Sequence, residues 1–289
     1  MCRVVDLQQA VLAKNERSAL ELRAELAARG AIAVNLLSSP GSGKTALLEA
    51  ELTLARERAV PVAAITADLA TENDATRLAR SGAPVKQVLT DGLCHLEASM
   101  VRGHLAGWLP EETRLLFVEN VGNLVCPASY DLGESLRVAL ASVTEGEDKP
   151  LKYPTAFGLA NLVVVTKTDI AAAVDFDEAA FRANVQRVNP GVEVVFTSAR
   201  TGAGVGILLD RALAVLTGTP VHRPVMGRHQ GAPAHRHDHD HGTGHDDGTG
   251  HDQEHGTGHD HTHGHEHGPA HHGHPHEHET APAPVGERS

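Results

Sequence analysis

Aromatic residues and cysteines are scarce in this chain of 289 residues, which holds one Trp, two Tyr, five Phe and three Cys. Three thiols, Cys2, Cys94 and Cys126, build no disulfide framework, so thiolate or metal chemistry is the use left to them. No run reaches the roughly 18 consecutive apolar residues of a membrane span, and the N-terminus lacks the charged, apolar and small-residue succession of a signal peptide. A cytoplasmic protein without a membrane partner is expected. Basic residues are also few, 25 Lys and Arg against 37 Asp and Glu, for a net charge of −12. That balance speaks against nucleic acid as a partner, because phosphate backbones recruit positive charge.

Histidine is what the chain has in excess, and 19 of its 21 copies lie at or beyond His222. The composition changes near Pro220. Residues 1–220 read as one α/β domain, and 221–289 as a disordered, His-rich tail too poor in large apolar residues to offset its ordering entropy. Its imidazoles, among them His235, His237, His239, His241, His259, His261, His263, His265 and His267, suit multidentate binding of Ni²⁺ or Zn²⁺ at irregular spacing. Protonation near pH 6 should release such metal, since only neutral imidazole ligates.

Within the first 220 residues, apolar runs alternate with helical patterns. A helix over Asp6–Ala28 precedes a strand over Ala31–Leu37. Further strands are expected at Val60–Thr66, Val85–Leu89, Arg114–Val118, Leu136–Val143, Leu162–Val165 and Val192–Phe196. Helical periodicity appears at Ala75–Arg80, Leu93–Leu105, Phe176–Val188 and Ala203–Leu216. Continuous apolar strands separated by helices predict a three-layer α/β fold with a mainly parallel central sheet, whose ligands bind at the strands' carboxyl ends.

Ser38 to Thr45, Ser-Ser-Pro-Gly-Ser-Gly-Lys-Thr, follows the first strand and meets the phosphate-loop pattern except at Ser38, where Gly is usual. Gly41, Ser42, Gly43 and Ala46 offer backbone N–H groups to phosphates, Lys44 a positive charge, and Thr45 a hydroxyl for Mg²⁺. Thr166-Lys167-Thr168-Asp169 sits after a later strand, where a guanine-reading motif belongs. The Asp169 carboxylate can accept from the guanine N1–H and N2 amine, Lys167 can lie along the base, and the usual leading Asn is replaced by Thr166. Ser198 and Ala199 suit the loop that contacts the guanine oxygen. Glu119, three residues before Gly122, resembles the Mg²⁺-linked, γ-phosphate-sensing switch, and Asp68 is preferred slightly over Asp74 as the second switch carboxylate.

Cys94-His95 and Cys126-Pro127 flank the Glu119 strand in sequence and form a candidate site for Ni²⁺ or Zn²⁺. Three donors underfill a closed four-coordinate site, so water, a second subunit or a substrate protein must complete it. With Cys94-His95-Leu96-Glu97, the run Phe117 to Ala128, Val11 to Asn15 and Ser38 to Thr45 on the page, the chain resembles the nickel-incorporation GTPases of hydrogenase maturation, the HypB family. The Ser38 departure is a feature of that family. The resemblance implies a P-loop GTPase that hydrolyses GTP to GDP slowly with Mg²⁺, Lys44 and Glu119 serving catalysis, and a GTP-linked homodimer. It further implies a HypA-type nickel metallochaperone and a [NiFe]-hydrogenase large-subunit precursor as partners. The N-terminal cysteine cluster of some members is missing here, with Cys2 alone in its place. Competing readings are a urease-accessory GTPase, whose Cys-Pro-His motif is not matched, a nickel-storage protein with a vestigial nucleotide fold, and an ATP-using kinase, against which Asp169 argues.

Overall fold

The computed structural model describes residues 2–68, 73–90 and 92–229, with the side chains of 2–8, 68, 228 and 229 outside that description. A long helix, α1 (Cys2–Ala28), leads into β1 (Ile32–Ser38), which is buried from its second residue on. Alternating elements follow: α2 (Lys44–Glu57), β2 (Val62–Asp68), α3 (Asn73–Ala79), β3 (Val85–Leu89), α4 (Ala98–Leu105) and β4 (Leu115–Gly122). The second half adds β5 (Leu136–Ser142), two short helices α5 (Lys149–Lys152) and α6 (Pro154–Gly158), β6 (Leu162–Thr166), α7 (Glu178–Val188), β7 (Glu193–Phe196) and α8 (Ile207–Leu216).

The seven strands form one sheet in the order β3-β2-β4-β1-β5-β6-β7, parallel throughout. Strand alternation sends Val34, Leu36, Phe117, Val138 and Val164 to one face, where they meet Leu48 and Leu52 of α2 and Leu208 and Leu209 of α8. On the opposite face Ala33, Ile65 and Val118 pack beneath Leu22 and Leu26 of α1 and Val101 and Leu105 of α4. Beside them Leu37, Ala139 and Val163 pack under Phe157, Phe181 and Val185. Helices thus cover both faces, which is why the strands read as nearly unbroken apolar runs, and the expected three-layer P-loop architecture is what forms.

Two helices start earlier than the sequence pattern, α1 at Cys2 rather than Asp6 and α3 at Asn73 rather than Ala75, and three start later. The helix expected from Leu93 begins only at Ala98, because Gly92 takes a left-handed φ of 85° and the chain turns through Cys94 and His95 before Glu97 enters α4 in extended conformation. The helix expected from Ala203 begins at Ile207, after Gly204 and Gly206 at positive φ, and that expected from Phe176 starts at Glu178, where the Asp177 side chain accepts from Ala180 N–H at 2.9 Å. Packing continues beyond Pro220. The Asn161 amide donates to the His222 carbonyl at 2.9 Å, and His222 Nε2 lies 2.7 Å from Asn189 Oδ1. Among the described residues no helix is long and apolar enough to cross a membrane. The histidine ligands expected from His235 to His267 lie outside the described residues.

Candidate nucleotide and metal sites

The loop between β1 and α2 closes around an open cleft of about 640 Å³ at the carboxyl edge of the sheet. Residues 38–46, Ala67, Asp74, Arg77, Val121, Gly122 and Lys167 line it. Gly43 enters α2 at φ 88°, a left-handed value that a side chain resists, and this directs the following N–H groups into the cleft. Gly122 ends β4 against the phosphate loop: a Cβ there would stand 3.1 Å from Pro40 Cα, so only a bare backbone lets the two segments approach.

Glu119 is fully buried within β4, three residues before its end. Its Oε1 accepts from Lys44 Nζ at 3.0 Å and from Thr45 Oγ1 at 2.6 Å, while Oε2 has no hydrogen-bond partner among the described residues. An orphaned buried carboxylate oxygen beside a threonine hydroxyl is a donor set for a hard divalent cation, so Mg²⁺ fits here. Thr66, opposite Glu119 in the β2–β4 pairing, also buries an unpartnered hydroxyl. Asp68 ends β2 on the same edge, but its side chain lies outside the described residues. Asp74, the alternative carboxylate, lines the cleft, and so does Arg77, which the sequence motifs gave no reason to single out and which Glu49 holds at 2.6 Å.

A second pocket of about 300 Å³ adjoins the first, sharing Gly43, Ala46 and Lys167 with it. Asp169, Ser198, Ala199 and Arg200 line it. Ser198 Oγ donates to Asp169 Oδ1 at 2.6 Å and Arg200 lies 3.5 Å from Oδ2. The Ser198 hydroxyl above all holds the Asp169 carboxyl below the ordinary aspartate value; desolvation opposes it, and the residue's own backbone N–H and then the Arg200 charge add to the lowering. Lys167, at a left-handed φ of 59°, crosses the phosphate loop and donates to Gly41 O at 2.6 Å. The Thr166 hydroxyl donates to Ser42 O, so the residue in the usual Asn place still ties the two loops together. The Ser198 backbone N–H is engaged by Ala203 O at 2.8 Å, which leaves the guanine-oxygen contact expected of this loop to Ala199.

Cys94, His95 and Cys126 come together from the turn before α4 and the loop after β4. The Cys94 thiol is raised above its ordinary value, chiefly by its hydrogen bond with Cys126 and next by burial. His95 Nδ1 lies 3.7 Å from Cys94 Sγ, and burial pushes the imidazole below its ordinary value, against the opposing charge of Glu97. Its Nε2 is buried without a hydrogen-bond partner, and the ring stacks on Tyr130 at 3.9 Å. Among the described residues no three His, Cys, Asp or Glu side chains converge on one point as a ready metal site. The imidazole is turned onto Tyr130, and Cys126 lies near enough to act on the Cys94 thiol.

Comparison with known proteins accounts for this layout. The family model described as CobW/HypB/UreG, nucleotide-binding domain, matches residues 32–196. Hydrogenase maturation factor HypB of Azotobacter vinelandii is 50% identical over 205 residues, covering 71% of this chain and 67% of that protein. HypB of Escherichia coli strain K12 is 47% identical over 203 residues, covering 70% and 69%. Among solved structures, HypB of Archaeoglobus fulgidus superposes with a TM-score of 0.66 at 36% identity, covering 71% of this chain and all of that one. HypB of Helicobacter pylori, crystallised in complex with nickel, gives 0.64 at 36% identity, covering 71% and 95%. With half of 205 aligned residues identical to HypB of Azotobacter vinelandii and a P-loop sheet that superposes on solved ones, the chain belongs to the HypB family of hydrogenase maturation factors.

Proposed function

We propose that this protein is a cytoplasmic GTP-hydrolysing metallochaperone that binds nickel and assists its insertion into a [NiFe]-hydrogenase large-subunit precursor. Its partners on this reading are a HypA-type nickel metallochaperone and a second copy of itself, joined in a GTP-linked homodimer. The observation that carries it is the meeting, at one sheet edge, of the Lys44–Thr45–Glu119 cluster, the Asp169 pocket and the paired thiols of Cys94 and Cys126.

GTP would lay its phosphates in the loop 38–45 and its base against Asp169. Lys44 must then leave Glu119 for the β- and γ-phosphates, which frees the Glu119 carboxylate to change partners. Thr45 and Glu119, with Asp68, would hold Mg²⁺, which supplies charge stabilisation to the triphosphate. Water attacks the γ-phosphorus in line, the β–γ bridging bond breaks, and the loop amides with Lys44 stabilise the charge that develops. No arginine is aimed at the reacting phosphate by a motif, consistent with slow turnover. Nickel is cargo: both thiols lose their protons to bind it, His95 supplies a neutral nitrogen by leaving Tyr130, and the fourth donor comes from water or a second subunit. The same donors accept zinc.

The test combines two assays on the purified full-length protein. Phosphate release should be supported by GTP and not by ATP, and Lys44→Ala should abolish it. Nickel should produce a thiolate-to-metal charge-transfer band that Cys126→Ala removes while GTP still binds. ATP hydrolysed as readily as GTP would reject the Asp169 assignment, and an undiminished band in Cys126→Ala would reject the metal site.

A further inference from the structure

Asn35 is a polar residue in the middle of β1, and it is fully buried at the centre of the sheet. A buried amide there is tolerated only when its donors and acceptors are met. Its partners run sideways across the strands. Asn120 of β4 donates from Nδ2 to Asn35 Oδ1 at 3.3 Å, and Asn35 Nδ2 donates to Glu134 Oε1 at 3.4 Å. Glu134 also accepts from Arg137 Nε at 2.6 Å. Arg137 then spends its two remaining guanidinium nitrogens on Ala128 O and Tyr130 O, each at 3.0 Å. Those carbonyls lie just after Cys126, and Tyr130 is the ring stacked on His95. Four side chains thus make one continuous polar chain from the switch strand to the loop that carries both contacts of the metal site.

The other end of this chain meets the nucleotide. Successive residues of a strand point to opposite faces, so Glu119 faces Lys44 and Thr45 while Asn120 faces Asn35. A rigid peptide plane joins the two. When Glu119 exchanges its lysine partner on nucleotide binding, the end of β4 moves as a unit and Asn120 moves with it. The links at 3.3 and 3.4 Å are long for amide hydrogen bonds and have room to tighten or to part. Around them the interior is close-packed, so a displacement is passed on rather than absorbed.

We propose that Asn120, Asn35, Glu134 and Arg137 are positioning residues that pass the state of Glu119 to the Cys126–Tyr130 loop and thereby set the metal affinity of the thiol–imidazole site. The inference rests on the reading above, in which the cleft binds GTP and the thiols bind nickel. None of the four lines the nucleotide cleft, and none is a metal donor in that reading.

The experiment titrates nickel into the full-length protein and follows thiolate charge-transfer absorbance, to which the His-rich segment contributes nothing because no cysteine follows Cys126. It is run with GDP and with a slowly hydrolysed GTP analogue. In the unaltered protein the apparent nickel affinity differs between the two nucleotides by about 5- to 150-fold, the ordinary range of coupling between sites. Asn35→Ala should collapse that ratio to below about twofold while the analogue still binds, and nickel should lose its reciprocal effect on analogue affinity. Arg137→Lys retains a cation for Glu134 but not the planar fork that holds two carbonyls, and it should collapse the ratio as well. Should Asn35→Ala fail to fold, Arg137→Lys decides. A ratio preserved in the variants, or a ratio of one in the unaltered protein, overturns the relay and leaves the nickel GTPase reading standing, whereas no charge-transfer band with either nucleotide overturns both.

Discussion

Asp169 and Glu134 show how differently single carboxylates declare themselves. Asp169 was legible from its place after a strand in Thr-Lys-Thr-Asp, and it does line the second pocket with Ser198 and Ala199. Replacing it with Asn turns one acceptor into a donor that faces the guanine N1–H and N2 amine. GTP should then bind about 100-fold more weakly, the loss of two charge-assisted hydrogen bonds, while xanthosine triphosphate gains; nucleotide displacement assays measure both. Unchanged GTP selectivity would remove Asp169 from base recognition. Glu134 carried no motif, and only the fold reveals it as buried beside Arg137. Burial alone would raise its carboxyl, but the Arg137 charge leads the effects that bring it down to about 2 from 4.5. A carboxyl lowered on folding stabilises above its unfolded value, so this contribution is whole above about pH 4.5 and is lost as pH falls toward 2. Glu134→Gln should cost about 3 kcal/mol at pH 7 and flatten the acid limb of the stability curve, read by urea unfolding across that window.

At the level of elements, most strands announced themselves because both sheet faces are covered, and an unbroken apolar run needs no other explanation. What pattern could not show was where helices begin, since that is settled by local turns. Periodicity ran from Leu93 into α4, yet Gly92 turns the chain and keeps Cys94 and His95 out of the helix, where they can approach Cys126. The start of α8 depends on a residue of a different helix. Glu51 of α2 is fully buried and accepts from Gly206 N–H at 2.9 Å and Leu209 N–H at 3.2 Å, serving as a remote cap. Burial raises its carboxyl, with the two backbone donors opposing. A carboxyl raised on folding contributes stability below its unfolded value of 4.5 and loses it as pH rises through the folded value. Glu51 therefore favours the fold less at neutral pH than in mild acid, opposite in sign to Glu134. Glu51→Ala should nevertheless cost about 3 kcal/mol, because it strands two buried donors at a helix start. A lowered urea midpoint with an unchanged m-value is the expected readout, and an unchanged midpoint would deny the capping role.

On the proposed reading, the whole molecule offers two chemistries to the same class of metal, thiols at a sheet edge and imidazoles from His235 onward. They differ in what a proton does to them. Imidazole ligates only when neutral, so acidification to pH 5.5 opposes metal binding by the histidines of the His-rich segment. Two thiolates already bound to a divalent cation hold it against much higher proton activity, because metal coordination depresses thiol titration outright. Full-length protein loaded with nickel at pH 7.5 should thus release most of its metal on transfer to pH 5.5 while keeping the charge-transfer band. Cys94→Ser should give the converse, losing the band at pH 7.5 with nearly all of the nickel still bound. Atomic absorption of the protein fraction after desalting counts the metal, and absorbance reads the thiolate share. If band and metal fall together on acidification, the thiolates hold nickel no better against protons than the imidazoles do, and a separate acid-resistant thiolate pool is rejected.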